Sequence, residues 1–426
     1  MSESLKNKEA RIIVVGNGIF GVSAALEFHE RGYSQIYLIG ESIAEASSQD
    51  ISKITRGEYG EDHLYPQLHK IAVGKWKKKE ADWSRKTESP FHWTGVAVLS
   101  RNSALDQSTY EGSSMRALQQ VDNTIAKNCT IFSNERQIQS FFNSKLRTFH
   151  TGHYNPFGGW IESGKVLELM FEDAKKAGVI CINQNCVAIK DQGIILKDGS
   201  FLQSNLIVVC CGAWTPFLLP ETSKILTPTG QPVFLFQNNE TISPKDVLGK
   251  GEGGKMCPIT FDIAETGFYM FPYHESTQLL KVGHHGNGFK IEKPATPEYL
   301  RNLEQTVREK ELKRFVNFLD EIFPDFSSEW FPEKFRICQY CDSIDSHFLI
   351  DQVRPGVFVA SGGSGHGFKF GLVVGELIVD VVEGVENEHP VMREAARRFR
   401  FRTTGAVSYE KARNISANTF VNEAKL

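Results

Sequence analysis

The chain has 426 residues, 41% of them hydrophobic, and a formal net charge of −3 at neutral pH. This length predicts two domains or one large composite domain with an extensive buried core. The nearly balanced charge provides no basic surface for nucleic acid or for an anionic membrane. No stretch approaches the roughly 18 consecutive apolar residues of a membrane span, and the first residues lack the apolar core of a signal peptide. The composition therefore favours a soluble protein made in the cytosol, and nothing in it demands more than a monomer.

The first predicted elements are a strand, a glycine-rich turn, a helix and a second strand. Gly16, Gly18 and Gly21 have the G-x-G-x-x-G spacing, which permits a tight turn, close approach of a pyrophosphate and close packing of helix on strand. The helix N-terminus would offer free N–H groups and a partial positive charge to the phosphates. This segment predicts a dinucleotide-binding unit. The predicted strand, helix and strand span residues 12–15, 22–31 and 35–39.

An acidic residue is expected at the end of the second strand, where it would bind a ribose hydroxyl. Gly40 occupies that place, and Glu41 follows it. We assign the ribose role to Glu41. The ordinary alternative is an exposed loop glutamate.

Helical and strand patterns alternate in the following 150 residues. Asp198-Gly199 is predicted to close a hairpin between strands around Cys186 and Ile194. The apolar run 206–211 is typical of a strand that returns to the dinucleotide-binding sheet. The predicted helices span residues 64–83, 114–127 and 164–176.

Short β-type runs from 227 to 285 predict an antiparallel sheet. Beyond them, the glycine-rich loop 361–367 precedes a long apolar helix and is a second place to hold a cofactor edge or an anion. The remaining predicted elements are a helix at 297–319, strands at 347–350 and 357–360, and the helix at 370–382.

This order of elements predicts an α/β (α+β composite) fold with two parts. A Rossmann-like cofactor-binding domain is assembled from the discontinuous segments 1–60, 158–220 and 336–400. A substrate domain with a mainly antiparallel sheet comprises 61–157 and 221–335. We expect residues 405–426 to be a C-terminal tail.

The eight cysteines are scattered without a disulfide framework, which suits a reducing compartment. Cys338 and Cys341 form a C-x-x-C. Because no second pair and no histidines at ligand spacing accompany it, we expect no metal site.

Several ordered motifs extend over nearly the whole chain. They are GNGIFG at 16–21, SSQDISKITRGEYG at 47–60, CGAWT at 211–215, YMFP at 269–272, LKVGHH at 280–285, CQYCDSIDSHFLID at 338–351 and SGHGFKF at 364–370. Together they resemble the flavin-dependent amine oxidase family, which includes monomeric sarcosine oxidase, L-pipecolate oxidase, fungal L-saccharopine oxidase and the fructosyl amino acid oxidases. The resemblance implies FAD rather than NAD.

The resemblance further implies that FAD is covalently held by Cys338, which matches the family's cysteine. A cysteine near a flavin edge can act as a thiolate nucleophile, whereas the alternative is one more buried apolar cysteine. The other implied cofactor contacts are Gly16, Gly18, Ile19, Phe20, Gly21, Glu41, Ser48, Lys53, Val187, Gly363, Gly365, His366, Gly367 and Lys369.

The substrate and catalytic residues are implied by the same resemblance. Arg56 and Lys369 match the two cations that bind the substrate carboxylate, which suits an arginine fork and a lysine point charge. Lys281 matches the lysine near flavin N5 that promotes the reaction with oxygen. Tyr269 and His285 match residues that line the substrate pocket, with His285 as a hydrogen-bond partner.

Two positions depart from sarcosine oxidase. Gln49 and Lys53 stand where that enzyme has a histidine and an arginine beside the flavin ring. The lysine is similar to fungal members, including the fructosyl amino acid and saccharopine oxidases, and it keeps a positive charge at this place.

The expected function is oxidation of a secondary amine of an amino acid, such as L-saccharopine, L-pipecolate or sarcosine, to an imine, with O2 reduced to hydrogen peroxide. One alternative is a deglycating fructosyl amino acid oxidase. Another is a flavoprotein dehydrogenase or a non-catalytic flavoprotein. The final residues Ala424-Lys425-Leu426 are similar to the S-K-L address of the peroxisomal import receptor, so we expect a peroxisomal protein, with the cytoplasm as the alternative.

Overall fold

The structure is a computed structural model that describes residues 7–41, 46–85, 87–102, 105–106, 108–238, 256–286, 288–324 and 326–401. The helices are α1 (Ile19–Glu30), α2 (Leu64–Trp83), α3 (Tyr110–Val121), α4 (Asn123–Asn128), α5 (Glu135–Phe142), α6 (Ser163–Lys176), α7 (Thr215–Leu218), α8 (Pro297–Ile322), α9 (Phe326–Glu329), α10 (Gly371–Glu383) and α11 (Pro390–Arg398). Short 3₁₀ turns occupy Gly212–Trp214, Pro220–Thr222 and Phe368–Phe370.

The strands are short except for two. They are β1 (Ile12–Val15), β2 (Ile36–Ile39), β3 (Lys53–Thr55), β4 (Phe91–His92), β5 (Val96–Ser100), β6 (Thr130–Phe132), β7 (Thr151–Asn155), β8 (Gly159–Ile161), β9 (Ile180–Ile182), β10 (Cys186–Lys190), β11 (Gly193–Leu196), β12 (Phe201–Gln203), β13 (Leu206–Val209), β14 (Leu226–Asn238), β15 (Ile259–Phe261), β16 (Phe268–Met270), β17 (Leu280–His284), β18 (Phe289–Lys290), β19 (Trp330–Ser343), β20 (Leu349–Arg354) and β21 (Val357–Ser361).

The N-terminal strand lies inside a mainly parallel sheet. The strand order is β20-β21-β13-β1-β2-β9, and only the β20–β21 pairing within this order is antiparallel. All four residues of β1 are buried, as expected for a strand covered on both faces. Helices α1 and α10 pack together in the adjoining core through residues such as Val22 and Val374. This arrangement confirms the predicted mixed α/β fold, whereas its assignment as a Rossmann-like domain remains a prediction.

A second, mainly antiparallel sheet faces a phenylalanine-rich core. Its order is β18-β14-β17-β16-β15-β5-β7-β6, and β19 also pairs with β14. Helix α8 contributes Phe315 and Leu319 to the core that contains Phe234 and Phe261. A small sheet of order β3-β8-β4 lies in addition to these two. The predicted antiparallel sheet is confirmed, whereas the placement of the domain boundaries remains a prediction.

Three local predictions were wrong in detail. Asp198-Gly199 connects β11 to β12, not β10 to β11, because the short strand β12 has two exposed residues of three and no recognisable apolar run. The helix predicted at 114–127 starts earlier, at Tyr110, and is divided at Asp122, whose side chain accepts a hydrogen bond from the Thr124 N–H and caps α4. Helix α1 begins at Ile19, so Gly21 lies inside it.

Two further findings concern what the described residues contain. Within them, no helix combines the length and the apolar character that a bilayer crossing requires. The tripeptide Ala424-Lys425-Leu426 lies outside the described residues.

Candidate active site

A cavity of 390 Å³ brings together the predicted substrate and catalytic residues and some of the predicted cofactor contacts. It is lined by side chains from β3, β16, β17 and β19 and by the loop that follows β21. The predicted residues in its wall are Lys53, Arg56, Tyr269, Lys281, His285, Gly365, His366 and Lys369. Lining residues that sequence reasoning missed include Tyr59, Tyr110, His284, Glu311, Arg314 and Tyr340.

Two cations, Arg56 and Lys369, contribute to one wall. The Arg56 guanidinium donates hydrogen bonds to Tyr110 Oη at 3.0 Å and to the backbone carbonyl of Glu58. Lys369 Nζ donates to Tyr59 Oη at 2.7 Å and to the His366 carbonyl at 3.1 Å. Burial and the positive charge of Arg56 hold the pKa of Lys369 well below its usual value. An anionic group in the cavity would relieve this electrostatic cost.

Glu58 is a buried carboxylate behind this wall that sequence reasoning missed. Its side chain is fully buried, accepts a hydrogen bond from Asn155 Nδ2 at 2.7 Å and lies 3.6 Å from His153 Nε2. Burial alone would raise its pKa, but His153, Arg56 and Asn155 hold the pKa of Glu58 at about 2. The carboxylate therefore stays ionised and stabilises the segment that carries Arg56.

Asp50 is the centre of a second buried charge cluster, the Asp50 cluster, formed with Lys53, Lys281 and Arg336. Asp50 Oδ2 accepts hydrogen bonds from Lys281 Nζ at 2.7 Å and from Lys53 Nζ at 2.8 Å. Arg336 Nη1 lies 3.6 Å from Asp50 Oδ1. Burial opposes ionisation, but the three cations hold the pKa of Asp50 well below its usual range.

The two lysines of the Asp50 cluster differ in their protonation. Burial lowers the pKa of Lys281 to about 8, although the charge of Asp50 opposes this shift. Burial also disfavours the charged form of Lys53, but Asp50 raises the pKa of Lys53 above its usual value. Lys281 therefore titrates just above neutral pH, whereas Lys53 stays charged.

Cys338 lies on β19 beside this cluster. Its side chain is fully buried, and its Sγ is 3.8 Å from Lys53 Nζ. Cys338 packs with Val233 and Tyr340, whereas Cys341 belongs to a different core cluster and its Sγ lies 3.4 Å from Ser361 Oγ. Both are free cysteines. The two thiols of the C-x-x-C therefore face different surroundings, as their alternation along a strand requires.

Tyr269 and Tyr340 add a pair of phenols to the wall, the first partly exposed and the second buried. Burial raises the pKa of each well above its usual value, so both are neutral hydrogen-bonding groups. The Tyr269 ring lies over Gly283 on the neighbouring strand, where a Cβ would approach the ring to 2.3 Å. Only glycine at 283 leaves room for this ring.

Gly365 lets the second glycine-rich loop approach these rings. Its φ is +76°, and a Cβ there would lie 2.5 Å from Tyr340 and 2.7 Å from the His285 ring. The ring centroids of His285 and Tyr340 are 5.9 Å apart. His285 therefore lies against the loop that the sequence analysis associated with the cofactor.

His366 has two polar partners that fix its ring. Its Nε2 lies 2.9 Å from the Ser346 carbonyl, and its Nδ1 lies 3.3 Å from Tyr59 Oη. Burial and Lys369 lower the pKa of His366 well below its usual value, so the ring is neutral. With the carbonyl as acceptor, Nε2 carries the proton and Nδ1 accepts from Tyr59, which in turn accepts from Lys369.

The first glycine-rich turn has the geometry of a pyrophosphate cradle. Gly16 has φ +106°, and a Cβ at Gly21 would lie 1.8 Å from the Gly16 carbonyl oxygen, so α1 packs directly on the turn. A Cβ at Gly18 would meet only the Ser48 side chain, and Gly18 is the N-cap of α1 and supplies no side-chain cap. Ser48 Oγ accepts from the Ile19 N–H at 3.1 Å. These features fit a dinucleotide bound at the start of α1.

The remaining predicted cofactor contacts extend this region. Phe20 lies 3.0 Å from a Cβ placed on Gly367, and the Gly363 carbonyl accepts from the His366 N–H at 2.8 Å, so the loop 361–367 approaches the start of α1. Glu41 follows β2 and accepts a hydrogen bond from Asn185 Nδ2 at 2.6 Å. Val187 is 55% exposed at a β-bulge of β10. Their roles toward a ribose or an adenine remain predictions.

Within the part of the chain that the structure describes, no group of three or more histidine, cysteine, aspartate or glutamate side chains is arranged to hold a metal ion.

Known proteins are similar to this chain over most of its length. Residues 11–381 match the family described as FAD dependent oxidoreductase. The chain is 25% identical to a monomeric sarcosine oxidase of Bacillus sp. over 395 residues, which cover 89% of this chain and 94% of that protein. It is 24% identical to the L-saccharopine oxidase of Schizosaccharomyces pombe over 414 residues, which cover 88% and 90%. The fold is similar to that of fructosyl amine:oxygen oxidoreductase (Amadoriase I) of Aspergillus fumigatus, with a TM-score of 0.71 and 20% identity over 93% of this chain and 90% of that one. The chain belongs to the FAD-dependent oxidoreductase family.

Proposed function

We propose that the chain is an FAD-dependent oxidase of a secondary amine attached to an amino acid, such as L-saccharopine, L-pipecolate or an N-methyl amino acid. The observation that carries the proposal is the cavity that has Arg56 and Lys369 together with Lys281 in its wall. The first two match an anionic carboxylate, and the third supplies a positive charge for the reaction with oxygen. The similarity to sarcosine and saccharopine oxidases supports the same class of substrate.

The overall reaction balances two electrons and two protons. The carbon beside the nitrogen loses a hydride equivalent, the nitrogen loses a proton, and a C=N bond forms. The two electrons and two protons convert O2 to H2O2. FAD, when bound, would accept the hydride equivalent from the substrate and pass the two electrons to oxygen. Water then hydrolyses the imine unless it is cyclic.

The chain's own residues orient the substrate. Arg56 presents a planar fork to the carboxylate. Lys369, which donates hydrogen bonds to Tyr59 Oη and to the His366 carbonyl, is the second basic group for the carboxylate. Because the pKa of Lys369 is well below its usual value, carboxylate binding is expected to draw a proton onto its amine. Tyr269, as a neutral phenol, and His285 line the reacting end of the cavity as hydrogen-bonding groups.

We also propose that Cys338 would hold the flavin covalently, through a thioether to the 8α carbon: the thiol S–H and one 8α C–H bond would break, and the two electrons and two protons would pass to O2. The thiol is fully buried, belongs to the same strand as Tyr340 and lies 3.8 Å from the ammonium of Lys53. The thiolate is the nucleophile for such a bond. Acid precipitation of the purified protein tests this, because a covalent flavin stays in the pellet.

The main alternative is a fructosyl amino acid oxidase, because the chain shares its fold with Amadoriase I and Lys53 is equally compatible with both classes. A peroxide assay that compares saccharopine, pipecolate, sarcosine and fructosyl-valine separates the two. We expect the highest kcat/KM with one of the first three, and a preference for fructosyl-valine would favour the alternative.

A dehydrogenase or a non-catalytic flavoprotein is the alternative from another class. The buried Lys281 favours an oxidase over these alternatives, because a fixed positive charge stabilises the superoxide character that develops when oxygen reacts. Slow reoxidation of the substrate-reduced protein by air would instead favour a dehydrogenase.

We propose a peroxisomal location through Ala424-Lys425-Leu426, which would confine the peroxide. A fluorescent fusion that keeps this tripeptide at its C-terminus should enter peroxisomes, and one that lacks it should stay in the cytoplasm. We further propose a monomer, which light scattering tests directly.

A further inference from the structure

We propose that Asp50 is a positioning residue for Lys281: its carboxylate fixes the lysine ammonium in the cavity wall and maintains its charge for the reaction with oxygen. This inference rests on the proposed function, because it assigns Lys281 to the oxygen step. It concerns a residue that lies within the motif at 47–60 but received no role in the sequence analysis.

The geometry leaves the Lys281 amine little freedom. Lys281 Nζ donates to Asp50 Oδ2 at 2.7 Å and to the Ser52 carbonyl at 2.6 Å, and it lies 4.6 Å from the centre of the Phe271 ring. The side chain of Lys281 is 1% exposed. Two acceptors from one short segment and one aromatic face therefore define its position.

Asp50 is itself held rigidly. Its Oδ1 accepts from the Ile51 N–H at 2.8 Å, and its backbone carbonyl accepts from Ser163 Oγ at 2.7 Å and from the Gly164 N–H at 2.9 Å. The last two contacts tie the segment to the start of α6. A carboxylate fixed at both its backbone and its side chain can orient a lysine without moving with it.

Asp50 also separates like charges. Lys53 Nζ, Lys281 Nζ and Arg336 Nη1 all lie within 3.6 Å of its oxygens. The other titratable groups that face this cluster are Cys338, Tyr269 and Tyr340. Without the carboxylate, three buried cations would repel one another, and the amine that loses its proton most easily is Lys281.

The test uses Asp50→Asn in the flavin-loaded enzyme, because asparagine keeps the size of the side chain and removes its charge. Stopped-flow mixing of the substrate-reduced enzyme with oxygen gives the rate constant of the oxygen step. We expect it to fall by about 100-fold, as for Lys281→Met, while the rate of reduction by the amine changes less than about threefold. The double variant that combines Asp50→Asn with Lys281→Met should have an oxygen rate constant close to that of either single variant, because both substitutions disrupt the same Asp50–Lys281 pair.

The pH profile and a binding measurement give readouts that a purely structural role would not change. The wild-type oxygen rate constant should fall as pH rises through about 8, where Lys281 loses its proton, and Asp50→Asn should move this fall to lower pH. Sulfite affinity, read from bleaching of the flavin absorbance, should fall at least about tenfold in the variant. Because sulfite needs no amine substrate, it tests Asp50 even if no amine is oxidised and the proposed function fails.

The matched control is Asp380→Asn. Asp380 is equally buried and pairs with Arg31 at 2.7 Å, and it is absent from the cavity wall. It should lower thermal stability and leave the oxygen step and sulfite affinity unchanged. Asp50→Glu keeps the charge, and we expect its oxygen rate constant to lie between those of the wild type and Asp50→Asn. This variant replaces Asp50→Asn in the test if asparagine at position 50 prevents folding. An unchanged oxygen step, pH profile and sulfite affinity in the Asp50 variants, or equal losses in the control, would overturn the proposal.

Discussion

The glycine turn at the start of α1 and the cavity wall differ in how their parts are distributed along the chain. The turn is built from neighbouring positions, since Gly21 packs on Gly16. In the cavity wall, Lys281 pairs with Asp50 across 231 positions, and Lys369 pairs with Tyr59 across 310. The turn requires residues without a Cβ atom where the backbone segments approach closely, whereas the cavity requires buried charges that are paired. The two regions should therefore respond to different kinds of substitution.

The largest expected effect is in the turn. In Gly21→Ala the new Cβ would lie 1.8 Å from the Gly16 carbonyl oxygen, so α1 would have to move away from β1. We expect a protein that contains no FAD, as read from the ratio of flavin to protein absorbance.

Gly74→Ala is the matched control for this substitution. Gly74 lies in α2 with nothing within 4 Å of the new Cβ. We expect full flavin content and a gain in stability of about 0.5–1 kcal/mol, because alanine suits a helix better than glycine. Full flavin content in Gly21→Ala would contradict the cradle.

The next largest effect is expected in the cation pair of the cavity. Arg56→Gln removes the charged fork that we assign to the substrate carboxylate, and hydrogen bonds of this kind contribute about 1.5–3 kcal/mol. Steady-state kinetics should show kcat/KM lower by roughly 10- to 150-fold, while the flavin content stays unchanged.

Arg116→Gln provides a surface comparison. Arg116 lies on α3 and pairs with Glu61 at 3.4 Å in an exposed position. We expect its kinetics to match the wild type within experimental error. An equal loss in both variants would show that Arg56 acts through general stability and not through substrate binding.

A third prediction concerns the buried carboxylate behind Arg56. Because the pKa of Glu58 is about 2 in the folded protein and ordinarily about 4.5, its ionisation stabilises the fold above pH 4.5 and is lost as pH falls toward 2. Relative to Glu58→Gln, the wild type should lose about 2 kcal/mol of unfolding free energy between pH 6 and pH 3.

Denaturant unfolding at several pH values measures this difference. Glu172→Gln alters a side chain that is 63% exposed on α6, and its difference from the wild type should stay flat. A flat difference for Glu58→Gln as well would show that Glu58 has an ordinary pKa.

The smallest effect is expected at the outer part of the cavity. Arg314 lines the cavity, pairs with the buried Glu311 and is 29% exposed. Arg314→Gln should raise KM about 2- to 5-fold for substrates with a distal carboxylate, such as saccharopine, because a partly exposed ion pair contributes at most about 1 kcal/mol.

Sarcosine, which has no distal group, should be unaffected by this change. Arg301→Gln, on the exposed part of the same helix, should affect neither substrate. Equal changes in KM for sarcosine and saccharopine would place Arg314 outside substrate recognition.

These differences explain what the sequence predicted well. The strand, turn and helix at 12–31 follow from local periodicity and glycine spacing, and the structure confirms them. The cavity residues Arg56, Lys281 and Lys369 were identified through motifs of a resembling family, and the structure brings them to one cavity.

Asp50 and Glu58 could not be identified in this way. A lone carboxylate in a polar segment is typical of solvent exposure, and only the fold buries these two beside partners far away in the chain. A signal was present in the acidic residue between Gln49 and Lys53, since buried lysines need a partner. The long strand β19 was missed because Pro332, Glu333 and Lys334 interrupt its alternation.

The most direct test of the central claim is an anaerobic absorbance titration of the purified protein with saccharopine, pipecolate and sarcosine. We predict a flavin spectrum that one of these amines bleaches and that air restores with the release of one peroxide per turnover. A flavin spectrum that none of them bleaches would contradict an oxidase of secondary amino acids, and a colourless protein would contradict the cofactor site itself.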